Sequence, residues 1–247
     1  MLPRKTVTLK FWNKTLAHCR RRALFPDGAS LLLAVSGGPD SVAMLDFFAG
    51  QARRRRLKLT VCHVNHKLRG AASDADAAFV RKLGGKYGLK TLVYSADVKR
   101  LAAGAKTGVE HAARAARYRL LSAAALEQRC GYVATAHHAD DHAETVLLNL
   151  LRGTEPKGLL GIPASRELCR KGRAKVMLVR PLLGVTRAEI EAYLAANCLP
   201  SRKDRTNDDE QFRRNWIRRT LLPLLEKKQP RLREHLAELS SKLAKVI

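Results

Sequence analysis

The stretch that most limits what this chain can fold into begins at Leu31-Leu32-Leu33-Ala34-Val35. These five apolar residues run straight into Ser36-Gly37-Gly38-Pro39-Asp40-Ser41 and then into a second apolar run, Val42 to Phe48. A continuous apolar run of that length suits a strand covered on both faces, as in a parallel sheet flanked by helices. In the six residues that follow, Gly37 and Gly38 let backbone N–H groups approach an anion, and Ser36 and Ser41 add hydroxyls. A helix starting near Asp40 turns its positive end toward the same point. The pattern predicts a phosphate cradle at a strand-to-helix turn. It is not of the Walker type, because Gly-x-x-x-x-Gly-Lys-Ser/Thr occurs nowhere in the chain. The hexapeptide alone also fits a Gly-rich turn with a Ser/Asp helix cap.

Composition narrows the partners more than the fold. A length of 247 residues allows one large α/β domain, or one of about 200 residues with a small appendage. Against 22 acidic residues stand 47 basic ones, a net charge of +25. Such an excess points first to a polyanion, nucleic acid above all, with a merely basic surface as the alternative. The five cysteines (19, 62, 130, 169 and 198) are scattered and never spaced Cys-x-x-Cys. That argues against a disulfide scaffold, a zinc knuckle or a cluster-dependent sulfur transferase, and suits a reducing cytoplasm. No apolar run reaches the roughly 18 residues of a membrane span, so no membrane partner is expected. The first 26 residues carry seven Lys and Arg and no acid, as targeting peptides do. However, Leu9, Trp12, Leu16 and Cys19 or Arg20 fall at helical spacing, which favours a packed N-terminal helix.

After the cradle helix comes a run of four arginines, Arg53 to Arg56, then a second strand, Leu57 to Val64. It ends in Asn65-His66-Lys67-Leu68-Arg69-Gly70. Ligands of open α/β sheets sit beyond the carboxyl ends of strands, which places His63, Asn65, His66 and Arg69 where they can matter. A polar loop before a helix capped by Ser73 is the plainer reading. A third strand, Leu89 to Ser95, leads into a segment expected to be flexible, Ala96 to Gly108. A long helix follows, Val109 to Arg129, on which Glu110, Arg114, Arg117 and Tyr118 share one face. The fourth strand, Gly131 to Ala136, runs into His137-His138-Ala139-Asp140-Asp141-His142-Ala143-Glu144-Thr145. Here Asp140, Asp141 and Glu144 converge at a helix N-terminus, where they could chelate Mg2+ or hold an ammonium group. His138 and His142 at i,i+4 raise zinc, but the Glu of His-Glu-x-x-His is replaced by Ala139.

The remainder reads as helix core from Leu147 to Leu151 and a loop from Arg152 to Pro163. A basic hairpin-like segment, Arg166 to Lys175, precedes a strand, Val176 to Val179. Thr186 with Glu189 forms a capping-box start for a helix ending near Asn197. The spacing of Arg214, Trp216 and Arg218 suits a solvated face. Leu232, Leu236, Leu239 and Leu243 mark a short amphipathic tail helix.

Taken together, these blocks resemble the tRNA(Ile)-lysidine synthetase family of the ATP pyrophosphatase (PP-loop) superfamily. The matching pieces are Ser36 to Ser41, His63-Val64-Asn65-His66 with Arg69-Gly70, Glu110 through Arg114, Arg117 and Tyr118, and Ala136 to Asp141 with Glu144-Thr145. To these are added Asn149 with Arg152-Gly153, Arg180-Pro181-Leu182-Leu183, and Asp204-x-Thr206-Asn207 with Arg214-Asn215. They occur in the family's order over roughly residues 25 to 225. The resemblance implies an α/β fold, a Rossmann-like doubly wound parallel sheet with helices on both faces plus a small helical C-terminal extension. Residues 1–225 would form the catalytic domain and 226–247 a short tail, without the longer C-terminal domains of some members. It also implies ATP-dependent joining of L-lysine to C2 of the wobble cytidine of tRNA(Ile) with a CAU anticodon, in the cytoplasm, through an adenylated cytidine. A homodimer stays open.

By the same resemblance, Ser36, Gly37, Gly38, Pro39, Asp40, Ser41, His63 and Asn65 would hold ATP, and Asp40 and Asp141 would hold Mg2+. Asp40, Arg117, His137, Asp141 and Glu144 would act in catalysis. Arg69, Glu110, Arg114, Asp141, Glu144, Arg152, Asn207, Arg214 and Asn215 would contact lysine or RNA. His142 departs from the Gln common in the family. Candidates for gripping RNA are Arg53 to Arg56, Arg166 to Lys175 and Arg202 to Arg219. Two rival readings remain: another PP-loop tRNA-modifying enzyme such as a thiolase, and a non-catalytic RNA-binding relative.

Overall fold

The computed structural model describes residues 3–67, 70–105, 108–202 and 213–247. Among them β1 (Ser30–Ala34), β2 (Lys58–Asn65), β3 (Lys90–Ser95), β4 (Tyr132–Ala134), β5 (Ser165–Lys171) and β6 (Ala174–Val179) form one sheet. Its order is β3-β2-β1-β4-β6-β5. β1 pairs in parallel with β2 on one side and β4 on the other, and β2–β3 and β4–β6 are parallel too. Only β5 runs antiparallel, so the expected parallel sheet carries one reversed edge strand. The basic hairpin-like segment supplies it. Arg166, Glu167, Arg170 and Lys171 along that edge discourage pairing with another chain.

Leu31, Leu32 and Leu33 of β1 are buried completely, and alternate side chains serve opposite faces. Leu31 and Leu33 join Phe47, Phe48, Val80, Ile190 and Tyr193 from the helices α2 (Pro39–Ala52), α3 (Ala71–Lys86) and α7 (Arg187–Ala196). Leu32 joins Leu121, Ala124 and Ala125 of α5 (Val109–Glu127), with Cys62, Val133 and Leu178 from its neighbours. Helices therefore cover both faces, and the strand order reverses between β1 and β4. The loops leaving those two strands flank the crevice where ligands of such sheets bind.

Helix α1 (Arg4–Arg21) packs on the first of these faces rather than standing free. Its buried stripe is Phe11, Thr15, His18 and Cys19, and Leu9 is 48% exposed, so the inward face is rotated from the one the leucines suggested. Phe11 stacks on Tyr193 at 4.1 Å between ring centroids. The Tyr193 hydroxyl accepts from Trp12 Nε1 at 2.9 Å and donates to Asp46, whose other oxygen accepts from Tyr87 at 2.6 Å. One carboxylate thus ties together α1, α2, α7 and the end of α3.

Other expectations are corrected. Ser73 does not cap α3; Gly70, at φ +50°, holds the N-cap and Ser73 lies buried in the first turn. The segment from Ala96 to Gly108 contains a helix, α4 (Val98–Ala105), whose Val98 and Ala102 pack on Ala112, Ala113 and Ala116 of α5. Helix α6 (Ala139–Leu150) buries Leu147, but Leu150 and Leu151 are exposed. Downstream, α8 (Arg213–Trp216), a π-turn (Ile217–Leu221) and α9 (Leu222–Glu226) lead to α10 (Leu232–Leu243). The tail docks on α6: Ile217, Leu222 and Leu236 pack against Ala143, Val146 and Leu147. Among the described residues no helix is long and apolar enough to cross a membrane.

Two measurements check this packing. Tyr193→Phe removes a donor to a half-buried carboxylate that two tyrosines share and should cost about 1–3 kcal/mol in urea denaturation; an unchanged midpoint would contradict the network. His18 is buried with no hydrogen bond at Nε2. Burial, then the charges of Arg21 and Arg22, lower its pKa to about 4. The unfolded chain, with an ordinary imidazole near 6.5, takes up this proton first, so stability present above pH 6.5 is lost as pH falls toward 4. The share from His18 is about 3 kcal/mol. His18→Leu should flatten the stability profile between pH 6.5 and 4.5; a slope equal to wild type would refute the assignment.

Candidate functional site

The turn after β1 closes on a single hydroxyl. Ser41 Oγ accepts from the amides of Ser36 at 3.2 Å and Gly37 at 3.1 Å, donates to the Gly38 carbonyl at 2.9 Å, and lies 3.2 Å from Ser36 Oγ. Ser36 Oγ in turn accepts from the Gly38 amide at 3.3 Å. Gly37 sits at φ +93°, and a Cβ there would lie 3.3 Å from Phe79 Cδ1, so both backbone and space demand glycine. Gly38 caps α2 and Pro39 takes its first position, where a missing N–H costs nothing. Three loop amides thus converge on serine oxygens at a helix N-terminus, the geometry that suits a phosphate oxygen.

The turn after β4 faces it. His138 caps α6, and its backbone N–H donates to Asp141 Oδ2 at 3.0 Å, a capping box built with histidine. The imidazole is 2% exposed. Its Nε2 lies 3.8 Å from Asp40 Oδ1 and 3.5 Å from Asp141 Oδ2, and its Nδ1 lies 3.4 Å from Asp140 Oδ2. Burial alone would lower the His138 pKa, but the Asp140 contact and the charges of Asp141 and Asp40 lift it above the ordinary value. Burial raises the Asp40 pKa, aided by Asp141 and opposed by His138. Asp141 goes the other way: burial opposes, but His138, Arg214 and His137 hold it below the usual range. Asp140 is driven to about 2, against burial, by its bonds to His138 and to the Arg187 amide at 2.8 Å. His138 was absent from the predicted site, although the His-x-Asp-Asp spacing that places these carboxylates on it is visible in the sequence.

Asp141 and Glu144 do come together, and arginines meet them. Glu144 is 1% exposed; Oε2 accepts from Arg214 Nε at 2.8 Å and Oε1 from Arg218 Nε at 2.5 Å. Asp141 Oδ1 lies 3.1 Å from an Arg214 terminal nitrogen and 3.5 Å from one of Arg218. The expected solvated face of Arg214 and Arg218 is therefore a clamp on two carboxylates, with Asn215 half-buried beside it and Trp216 left 40% exposed. From the tail, Arg233 reaches Asp140 at 3.1 Å.

The histidines divide. His63 is buried, with Nδ1 bonded to the Val35 carbonyl at 2.8 Å, so it braces the end of β1. Asn65 donates to Asp74 at 2.9 Å and accepts from the Lys67 amide at 2.8 Å, which shapes the loop after β2. Arg117 lies 3.3 Å from His66 Nε2, and burial followed by that guanidinium lowers the His66 pKa to about 4. Thr135 Oγ1 meets His137 Nδ1 at 3.1 Å; burial keeps His137 neutral, with a pKa of about 3 despite Asp141. His142 turns from His138 to Ile162 and Ser240 Oγ, the latter at 3.1 Å, so no zinc pair forms. Among the described residues no group of three or more His, Cys, Asp or Glu could hold a metal ion. Two carboxylates remain that fit Mg2+, which takes one or two plus phosphate oxygens and water. Asp40 Oδ1, buried without a hydrogen-bond partner, and Asp141 Oδ2 face the same imidazole nitrogen.

Arg114 lies on α5 over the Tyr118 ring. Arg152 is exposed beyond the far end of α6, about 18 Å from its start at the usual helical rise. The predicted contacts of Arg69 and Asn207, and of the Glu110 side chain, lie outside the described residues.

Comparison with known proteins agrees with this geometry. Residues 10–225 match the model of the PP-loop domain family. The chain is 36% identical over 232 residues to the tRNA(Ile)-lysidine synthase of Geobacillus kaustophilus, covering 94% of this chain and 49% of that one. It is 39% identical over 235 residues to the tRNA(Ile)-lysidine synthase of Chlorobaculum tepidum, covering 92% and 68%. The chain spans about half the length of the first and two thirds of the second. Among solved structures, the U34-tRNA thiolase NcsA from Methanococcus maripaludis with its [4Fe-4S] cluster superposes with a TM-score of 0.80 at 18% identity, over 98% of this chain and 81% of that one. At that identity the likeness is one of fold.

Glu144→Gln tests the clamp. It leaves two guanidiniums facing an amide and should destabilise the chain by about 1–3 kcal/mol, with faster amide exchange across 213–221. Unchanged exchange there would show that the clamp does not hold α8.

Proposed function

Because the chain belongs to the PP-loop family and, within it, to the tRNA(Ile)-lysidine synthases, we propose that it joins L-lysine to C2 of a tRNA(Ile) wobble cytidine at the expense of ATP. The observation that carries this reading is the meeting of Asp40, from the phosphate loop, and Asp141, from α6, on one buried imidazole at the sheet's switch point. A substrate phosphate held by the first loop then lies beside the carboxylates of the second.

The chemistry asks for this arrangement. Cytidine O2 is a weak nucleophile and the C2–O bond a poor one to break, so adenylation divides one hard step into two. In the first, O2 attacks the α-phosphorus and pyrophosphate leaves; in the second, the lysine ε-amine attacks C2 and AMP leaves. Phosphoryl transfer needs charge neutralisation and alignment more than covalent help. The loop from Ser36 to Ser41 supplies amides and hydroxyls to the phosphates. Mg2+, when bound by Asp40 and Asp141, would supply charge neutralisation at the phosphates. His137, neutral and hydrogen-bonded through Nδ1 to Thr135, keeps Nε2 free to act as a donor toward developing charge when Thr135 supplies the proton of that bond. Arg117, held beside His66, adds positive charge on the same edge of the sheet.

Asp141 and Glu144 receive the lysine ammonium in exchange for one of the two guanidiniums that neutralise them now. That exchange preserves the local charge, as burial of Glu144 requires. A thiolase reading draws less support, because Cys19, Cys62 and Cys130 are buried in structural positions and none of the five cysteines lies in either loop of the site. A cytoplasmic location is part of the same proposal.

Incubation of the protein with ATP, L-lysine and a tRNA(Ile) transcript with a CAU anticodon should add the mass of one lysine, less water, to a single nucleotide, read by mass spectrometry of nuclease digests. An unmodified nucleotide, with the protein folded and ATP bound, would refute the reading. Asp141→Asn should lower the yield at least 100-fold, on the order of 3 kcal/mol of barrier.

A further inference from the structure

The reaction proposed above brings an RNA strand to the carboxyl edge of the sheet, and positive charge is not spread evenly over the two edges. The run Arg53 to Arg56 lies at the opposite edge. The Gly28 amide donates to the Arg55 carbonyl at 2.9 Å, and the five residues of β1, roughly 17 Å of strand, separate that point from the phosphate loop. Arg55 is also committed: it pairs with Asp27 at 2.6 Å and lies 4.8 Å from the centre of the Phe25 ring.

On the site's own edge, a different cluster has no such carboxylate partner among the described residues. The Tyr118 ring of α5 is flanked by two guanidiniums, Arg114 at 5.2 Å and Arg166 at 5.1 Å from its centroid. Both arginines are exposed; one comes from the helix and the other from edge strand β5. Glu167, next to Arg166, is taken by Arg170 at 2.9 Å and Lys175 at 3.4 Å. Beneath lies Arg180, 2% exposed, which donates to the Pro163 carbonyl at 2.6 Å while its Nε has no hydrogen-bond partner. Burial, and then the charges of Arg166 and Arg114, lower the Arg180 pKa against the favourable contact with Tyr118. Three like charges around one phenol repel one another, and among the described residues no carboxylate pairs with them. Arg114 and Arg180 are also among the charges that act on His137, so the cluster adjoins the site.

We propose that Arg114, Tyr118 and Arg166, backed by buried Arg180, form a binding site for an RNA phosphodiester beside the reacting nucleotide. The planar guanidinium fork matches a phosphate in two bonds, and the outer face of an exposed guanidinium stacked on the ring offers a platform for an unpaired base. Cation–π contact holds both forks in place before the strand arrives. The inference rests on the RNA-modifying reading, but it concerns where the backbone is held and not what is done to the base.

The test measures two affinities in the full chain: that of a tRNA(Ile) transcript with a CAU anticodon, by filter retention across a salt series, and that of ATP, by equilibrium dialysis. Arg166 is exposed on an edge strand, so Arg166→Ala should fold as wild type does. RNA binding is expected to weaken about 5- to 10-fold, and the slope of log affinity against log salt to shrink by ~0.8. ATP affinity should not change. Arg166→Lys keeps the charge without the stacking and should restore the slope more than the affinity. Wild-type RNA affinity and slope in Arg166→Ala would overturn the site, and so would a loss of ATP affinity, which would make its anion the nucleotide's own phosphate. Should wild-type protein make no lysidine while Arg166→Ala still loses RNA affinity, the modification reading falls and this site stands.

Discussion

A buried imidazole, its pKa raised by the carboxylates around it, holds this site together. His138 faces Asp40 from the turn after β1 and Asp140 and Asp141 from the turn after β4, and none of these groups would be stable in the interior alone. Outside this core, Arg233 meets Asp140, and Arg214 and Arg218 meet Asp141 and Glu144. Four carboxylates thus stand against His138 and three guanidiniums, and one of these, Arg233, also holds Glu226 at 2.7 Å. This pairing explains why α8, the π-turn after it and α10 all fold back onto α6. Their apolar contribution is modest, a few leucines and an isoleucine on α6. Their charges complete a set that could not otherwise be buried.

A paired set has a consequence for ligands. Because each of these carboxylates already faces a histidine or an arginine, attraction for a triphosphate has to come from elsewhere. Two sources lie at the switch point. The amides of Ser36, Gly37 and Gly38 converge at the start of α2, and α6 begins directly opposite. Both helix N-termini point positive ends into the same crevice. The arginines on α5 and β5 add diffuse positive charge at the rim, where it is least screened by the protein's own acids.

Much of the scaffold was legible in the sequence because it rests on local rules. The apolar run of β1, the Ser-Gly-Gly-Pro-Asp-Ser turn and the Thr186–Glu189 capping box each specify their structure within a few residues. The missing parts depend on partners distant in sequence. Arg214 and Arg218 have the spacing of a solvated face, and nothing nearby reveals that Glu144, 70 residues earlier, awaits them. Helix α4 was hidden because it is only eight residues long and carries Gly104 near its end, so a short segment with glycines at 104 and 108 read as loop although Val98, Leu101 and Ala102 fall at helical spacing. In α1, Phe11, Thr15 and His18 face inward where leucines were the louder signal, because Tyr193 offers a ring for Phe11 to stack on. His138 went unassigned for a related reason: with His142 at i,i+4 it reads as half of a zinc pair, and only the arrival of Asp40 from another strand makes it a hub.

The same logic separates charge that acts from charge that merely accumulates. The sequence carries +25, and its most conspicuous block is Arg53 to Arg56, yet the fold sends that block to the edge away from the site and commits Arg55 to Asp27 and Phe25. The arginines at the crevice come from three separate places: Arg114 and Arg117 from α5, Arg166 from β5, and Arg180 from the turn after β6. Two of them are held by one tyrosine, one by a neutral histidine and one by a backbone carbonyl. Neither the tyrosine nor the carbonyl cancels a charge. A guanidinium fixed by an aromatic ring or a carbonyl keeps its positive field and loses little freedom when an anion binds. The supporting partners of a cation therefore say more about its use than its neighbours in sequence do.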